Sequence, residues 1–285
     1  MNPLRPGNAR LLDELELFIV ATAANRACFD LRPFGIEVAH DGHVDPLRRD
    51  ASTFLDLLSI LDAATFGPEG MPMPRWVFFD AAELPGGIVG FGRRAGELPA
   101  PIAERFGLPP GYGGLVPLSM YIAIPTLTPG VWVGHNLASL SEQMPGEPLR
   151  GLGRLTKAVA LRVFRATGQI GVTQWASRAL GVHARMGPLR LLTAWTPAHT
   201  YPASLTYQAT IDDAALRRLA GEQGPRAAEP APELWPAPEL WIESDDHPAM
   251  EALQARIEAG ERLCVAGTPV PLGSGRQRVP VARLP

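Results

Sequence analysis

The sequence predicts a mixed α/β domain, a central sheet flanked by helices, and three observations predict it. Apolar residues change period along the chain: Phe54, Leu57, Leu58, Ile60 and Leu61 recur near helical spacing, whereas Val116–Ile124 and Val131–Leu140 read as strands. The 29 glycines and 30 prolines imply many turns between short elements and argue against a helical bundle. From Val131 to Ile211, strand and helix patterns alternate, as a layered α/β architecture requires.

Taken in order, Asn8–Ala24 reads as a helix and Cys28–Val38 as extended, followed by the turn His40-Asp41-Gly42-His43. Asp50–Thr65 is a helix that Phe66-Gly67-Pro68 stops. Arg75–Ala82 and Gly87–Arg93 read as strands joined by the turn-rich Glu83–Gly87, and Ala100–Phe106 as a helix. Val116–Ile124 and Val131–Leu140 form a strand pair with Thr128-Pro129-Gly130 as the turn. Gly153–Gly168 is a helix with Gly168 at the C-cap position, and Gln169–Gln174 is a strand. Ser177–Met186 fits a short helix with Ser177 as N-cap, although its alternation also fits a strand. Leu189–Trp195 and Ser204–Ile211 are strands.

Residues 1–220 would form the main domain, 221–238 a Pro/Ala/Glu-rich linker, and 239–285 a small tail with a helix near His247–Glu261 and a strand near Leu263–Ala266. The tandem Pro232-Glu-Leu-Trp235 and Pro238-Glu-Leu-Trp241 suits a contact anchoring the tail to the core or to a protein partner.

At 285 residues and 46% hydrophobic, the chain can bury a substantial core. A net charge of −3 gives no global field for nucleic acid or a membrane surface, and Arg48-Arg49, Arg93-Arg94 and Arg217-Arg218 are isolated pairs. Neither partner is expected. Cys28 and Cys264 lie far apart with no Cys-x-x-Cys, so neither a cysteine zinc site nor a disulfide scaffold is supported. No stretch of about 18 apolar residues occurs, and Leu17–Ala21 is too short and too late for a signal sequence, so a soluble cytoplasmic protein is the expectation. His40, His43 and Asp45 could suggest a metal, but a solvated turn explains them better and no metal is expected.

The chain contains a single lysine, Lys157, where every other cation is arginine. A compact ammonium or a titratable amine offers chemistry that guanidinium cannot. Lys157 lies just beyond Arg150-Gly151-Leu152-Gly153-Arg154-Leu155. Glycines that open a helix let the backbone approach a diphosphate, and the first-turn N–H groups and the helix dipole favour the anion. Arg154 and Lys157 could add charge. The pattern is neither a Walker loop nor the dinucleotide fingerprint.

The order of Arg150-Gly-Leu-Gly-Arg-Leu155, helix, Gly168, strand to Thr173, short helix with Ala179 and His183, then Gly187 resembles the acyl-CoA-binding half of GNAT-superfamily acyltransferases. The similarity covers about Val131–Ile211. It implies a GNAT-like fold and transfer of an acyl group from acyl-CoA, as co-substrate, to a small-molecule acceptor such as an amine. Gly151, Gly153 and Arg154, with Arg150, Leu152, Leu155 and Lys157 around them, would hold the pyrophosphate. His183 stands where the family commonly has a tyrosine acid, four residues after Ala179 and four before Gly187. His135, on the strand against which the thioester would lie, is the candidate base; Tyr121 and Thr173 would line the site. The sequence departs from the family at Pro148, where Gln or Arg is usual, and at Ala176 or Ser177, where Asn is usual.

Two other readings compete. Lys157 near Arg150 and Arg154 looks loosely like the Schiff-base lysine of acetoacetate-decarboxylase-type proteins, which would require Leu161–Val163 and Leu180–Met186 to be strands. A GNAT-like shell with altered loops could also be a non-catalytic binding or scaffold protein. Its sign is the lack of a clear carboxylate base, Glu142 and Glu147 both lying in loops.

Overall fold

A computed structural model describes residues 7–26, 29, 38, 42–83, 86–144, 149–221 and 235–284. They divide into two compact units, Met1–Ala166 with Ala220–Glu222, and Thr167–Leu219 with Gln223–Pro285. The fold is mixed α/β.

The first unit contains α1 (Ala9–Glu14), β1 (Glu16–Val20), α2 (Ala23–Arg26), β2 (His43–Val44), α3 (Ser52–Phe66), α4 (Arg75–Glu83), β3 (Gly87–Arg94), α5 (Ala100–Phe106), β4 (Leu115–Pro125), β5 (Val131–Ser139) and α6 (Leu152–Val163). Its sheet runs β2-β1-β3-β4-β5, with β1 and β2 parallel and the remaining neighbours antiparallel. Central β4 is buried from Leu115 to Ala123, as a strand covered on both faces should be. Alternation along β5 shows the two layers. Asn136 bonds Asp62 of α3, whereas Ser139, of opposite parity, meets Gly153 of α6, so α3 and α6 cover opposite faces. At Gly90 of β3 a Cβ would lie 2.0 Å from the Ser119 carbonyl oxygen and 2.4 Å from the Phe18 ring, so only glycine fits between these neighbours.

The second unit contains β6 (Gly168–Gln174), α7 (Arg178–Ala184), β7 (Leu189–Thr193), β8 (Ser204–Thr210), β9 (Leu240–Glu243), α9 (His247–Glu258), β10 (Leu263–Val265), β11 (Val270–Gly273) and β12 (Arg276–Arg283). Most of α8 (Asp213–Ala220) belongs with it. The strands run β11-β12-β10-β7-β8-β6, with β9 on β12, and every one of these pairs that is described is antiparallel. Ser177 caps α7 by accepting the Ala179 N–H at 3.2 Å. Ser177→Ala should therefore cost about 1 kcal/mol, read as a lower denaturant midpoint at unchanged m-value.

Several expected elements differ. The helix expected over Asn8–Ala24 ends at Glu14, because Leu17–Ala21 are all buried: the apolar run is a core strand with the adjoining Ala21. Arg75–Ala82, expected as a strand, is helical: Phe78, Ala81 and Ala82 face inward at helical spacing, while Trp76 stays 63% exposed. Helix α6 stops at Val163 instead of reaching Gly168. Arg165 takes the left-handed turn at φ 52°, and Gly168 opens β6. The short-helix reading of Ser177–Met186 holds as α7.

The sequence placed a boundary at 220, with a tail beyond a linker. The compact unit instead joins Thr167–Leu219 to the tail, because β10 pairs with β7 through Cys264↔Arg190 and Val265↔Leu189. Gln254 of α9 reinforces this by accepting the Ala194 N–H at 2.8 Å. Most of the linker, the first Pro-Glu-Leu of the tandem, Cys28, His40, Glu147 and most of Cys28–Val38 lie outside the described residues.

Candidate functional site

Gly151 is the N-cap of α6 and stands at φ 87°, a left-handed conformation that glycine alone adopts without penalty. It offers no side chain to cap the helix, and the first turn carries no acidic residue. The Leu152 N–H turns back to the Leu149 carbonyl at 3.1 Å, and the Leu155 N–H donates to Gly151 at 2.9 Å. Gly153 is half-buried, and a Cβ there would sit 3.4 Å from Cβ of Ser139, so the end of β5 flanks the helix start.

Arg154 folds back over this start. Its guanidinium lies 3.1 Å from where a Cβ on Gly151 would be and 3.5 Å from the corresponding point on Gly221. A cation held at the positive end of a helix is unfavourable by itself, and an anion at the same place would offset both charges. Arg150 is exposed beside it, and Leu152 and Leu155 anchor the turn in the core.

The strand next to this loop carries an irregularity at the expected base. Ile122 pairs with Asn136 and Ala123 with Gly134, so His135 is the extra residue of a β-bulge on β5. Bulges re-aim side chains and are over-represented beside active sites. His135 is solvent-exposed, yet the protein around its ring desolvates it enough to lower its pKa below the usual imidazole value. Asn136, the next residue, donates from Nδ2 to Asp62 Oδ1 at 2.5 Å, and the Met73 N–H donates to Asp62 Oδ2 at 2.6 Å. Asp62 is fully buried; desolvation raises its pKa, opposed by those two hydrogen bonds. The bulge is thus tied to a buried carboxylate that the sequence reading passed over. Its signal was present: Asp62 shares the inward face of α3 with Leu55 and Leu58, where an acid is out of place.

Lys157 is placed away from the loop's open side. It is fully buried, with Nζ 5.8 Å from the centroid of the Tyr121 ring, on the face of α6 that packs against β4. Next to it, Thr156 Oγ1 meets Ser119 Oγ at 2.6 Å and donates to the Leu152 carbonyl at 2.8 Å. The Tyr121 hydroxyl is buried with no hydrogen-bond partner among the described residues, and burial pushes its pKa above the ordinary phenol value. Burial likewise holds the Lys157 ammonium well below the ordinary lysine value of 10.5.

The unfolded chain therefore binds a proton that the folded chain resists, over the window between that lowered value and 10.5, and stability rises with pH across it. Lys157→Met should remove this dependence and raise stability near neutral pH by about 1–2 kcal/mol, measured by denaturant unfolding at several pH values. The strands that a Schiff-base enzyme of the acetoacetate-decarboxylase type would need are absent. Leu161–Val163 lies in α6, and Leu180–Ala184 lies in α7.

Thr173 and His183 belong to the second unit. His183 is 7% exposed on α7, with its ring 5.3 Å from that of Tyr207. Gln169 donates from Nε2 to the Tyr207 hydroxyl at 3.2 Å, and Gly171, opposite Tyr207, leaves room for the phenol: a Cβ there would lie 2.4 Å from the hydroxyl oxygen. Thr173 is 8% exposed opposite Leu205 on β8. The structure thus gathers Arg150 to Leu155 at one helix start, places His135 on a bulge of the adjoining strand, and pairs Lys157 with Tyr121 in the core.

Among the described residues no helix is long and apolar enough to cross a membrane, and no group of three or more His, Cys, Asp or Glu side chains is placed to hold a metal. No protein-family model matches the chain, and no curated protein matches it. Among solved structures, the chain is similar to a protein of Desulfovibrio desulfuricans described as a candidate acetyltransferase of the GNAT family. The TM-score is 0.36 at 14% identity, over 58% of this chain and 95% of that one.

Proposed function

We propose that the protein is an acyltransferase that moves an acyl group from acyl-CoA to a small amine. The observation that carries this reading is the start of α6: a helix end whose N-cap, a left-handed glycine, supplies no side-chain cap, flanked by the strand carrying a bulged histidine, with Arg154 folded over it. Such a start fits a pyrophosphate, because its amides, the helix dipole and the guanidinium all favour negative charge. Gly151, Gly153 and Arg154 hold the anion in this reading, with Arg150 at its rim. Lys157 lies buried over Tyr121 beneath the loop and is given no part in holding the anion.

The acceptor nitrogen attacks the thioester carbonyl carbon, the C–N bond forms, and the C–S bond breaks. His135 takes the proton lost by the amine, and Asp62 positions it through Asn136. The thiolate leaves with CoA; His183, the acid that the family resemblance implies, lies in the other unit and is given no part in this step, and Tyr121 and Thr173 are assigned to packing.

Calorimetric titration of the full chain with acetyl-CoA and with free CoA, at low and moderate salt, tests the reading. Micromolar binding that weakens with salt is the expected result. Absence of binding at millimolar ligand would overturn it and favour a non-catalytic scaffold.

A further inference from the structure

A cavity of about 450 Å³ in the first unit opens beside β2 and the start of α3. In the sheet order, β1, β3 and β4 separate β2 from β5, so this edge is four strand spacings, roughly 19 Å, from the strand carrying His135. A volume of this size suits a small molecule.

Among the described residues, four charged side chains line the cavity, two of each sign. Arg26 and Asp45 are the inner pair, with side chains 28% and 13% exposed and 3.6 Å between Nη2 and Oδ2, longer than a hydrogen bond. Asp45 is fixed independently, since its carboxylate accepts the Ala23 N–H at 3.2 Å and the Leu47 N–H at 3.0 Å. The guanidinium of Arg26 is therefore steered by an anchored carboxylate without being saturated by it. Arg48 and Asp50 form the rim pair, bonded at 3.2 and 3.1 Å and both largely exposed. Phe54 and Leu115, almost wholly buried, contribute an apolar wall.

Among the described residues, two cations and two anions sum to no net charge, so none of that lining favours a dianion such as phosphate. A molecule with one charge of each sign can pair with both kinds of group and lay an apolar part on Phe54. We infer that this cavity binds a small zwitterion: a carboxylate and an ammonium on one apolar frame, as in a free amino acid. The carboxylate engages Arg26, the ammonium engages the carboxylates, and the site is separate from the α6 loop.

The test is calorimetric titration of the full chain with phenylalanine, with 3-phenylpropionate and 2-phenylethylamine, which each keep one of its charges, and with inorganic phosphate. Phenylalanine should bind at least about tenfold more tightly than either single-charge analogue or phosphate. Arg26→Gln should weaken phenylalanine about tenfold, Asp50→Asn should weaken it as well, and Gly153→Trp should leave it unchanged. Unchanged thermal melting of Arg26→Gln would tie its loss to the ligand contact. The inference is overturned by equal binding of the single-charge analogues, by tighter phosphate binding, by Arg26→Gln behaving as wild type, or by no binding of phenylalanine up to about 10 mM. The acyltransferase reading stands or falls separately on acetyl-CoA.

Discussion

Gly153→Trp should keep the fold and lose at least about 100-fold in affinity for acetyl-CoA. Gly153 is half-buried at the second position of α6, beside the end of β5. An indole there has Ser139 on one side, with its Cβ 3.4 Å from the first added carbon, and must extend across the helix start. It would occupy the space an anion needs while leaving the backbone free of strain, since Gly153 is helical and only Gly151 requires a left-handed φ. Calorimetry reads the affinity, and circular dichroism with thermal melting reads the fold. A folded variant that still binds acetyl-CoA as wild type would show that the α6 start is not the anion site.

His135→Gln should lower the acyl-transfer rate by about 100-fold and remove the acid limb of the pH–rate profile. A general base works in its neutral form, so kcat/KM falls as pH drops through the base's pKa. Desolvation lowers that pKa, which places the fall below 6.5 and leaves the histidine competent across neutral pH. Glutamine keeps a polar side chain at the bulge but cannot accept the proton. Its residual rate should therefore be flat where wild type titrates. A slower variant with the wild-type profile would reduce His135 to a positioning residue.

How much could be read from the chain differs by element. Helices α3 and α5, strands β3 to β8 and the N-cap of α7 were legible because local patterns and turn residues agree there with the final packing. Strand β1 and helix α4 were not. An apolar run such as Leu17–Ala21 has no period of its own, and Trp76 follows the hydrophobic pattern while lying outside the core. Strand β9 was missed because its partner, β12, lies far away in sequence, whereas β11 and β12 form a local hairpin across Gly273-Ser274-Gly275 whose turn signal was passed over.

The candidate site divides the same way. Gly151, Gly153 and Arg154 stand out in the sequence because a Gly-x-Gly opening a helix is a local event. Asp62 and Asn136 lie 74 residues apart, and their hydrogen bond exists only once α3 crosses β5.

By itself, the sequence determined the class of fold, the glycine-opened helix α6 and the singularity of Lys157, since each rests on neighbouring residues and on composition. Tertiary structure alone decided where Lys157 points, that His135 is a bulge residue whose neighbour Asn136 bonds a buried carboxylate, and that the last strands complete the second unit. The physical reason is that burial, strand register and long-range hydrogen bonds depend on which distant segments come together, and no local spacing in the chain encodes that choice.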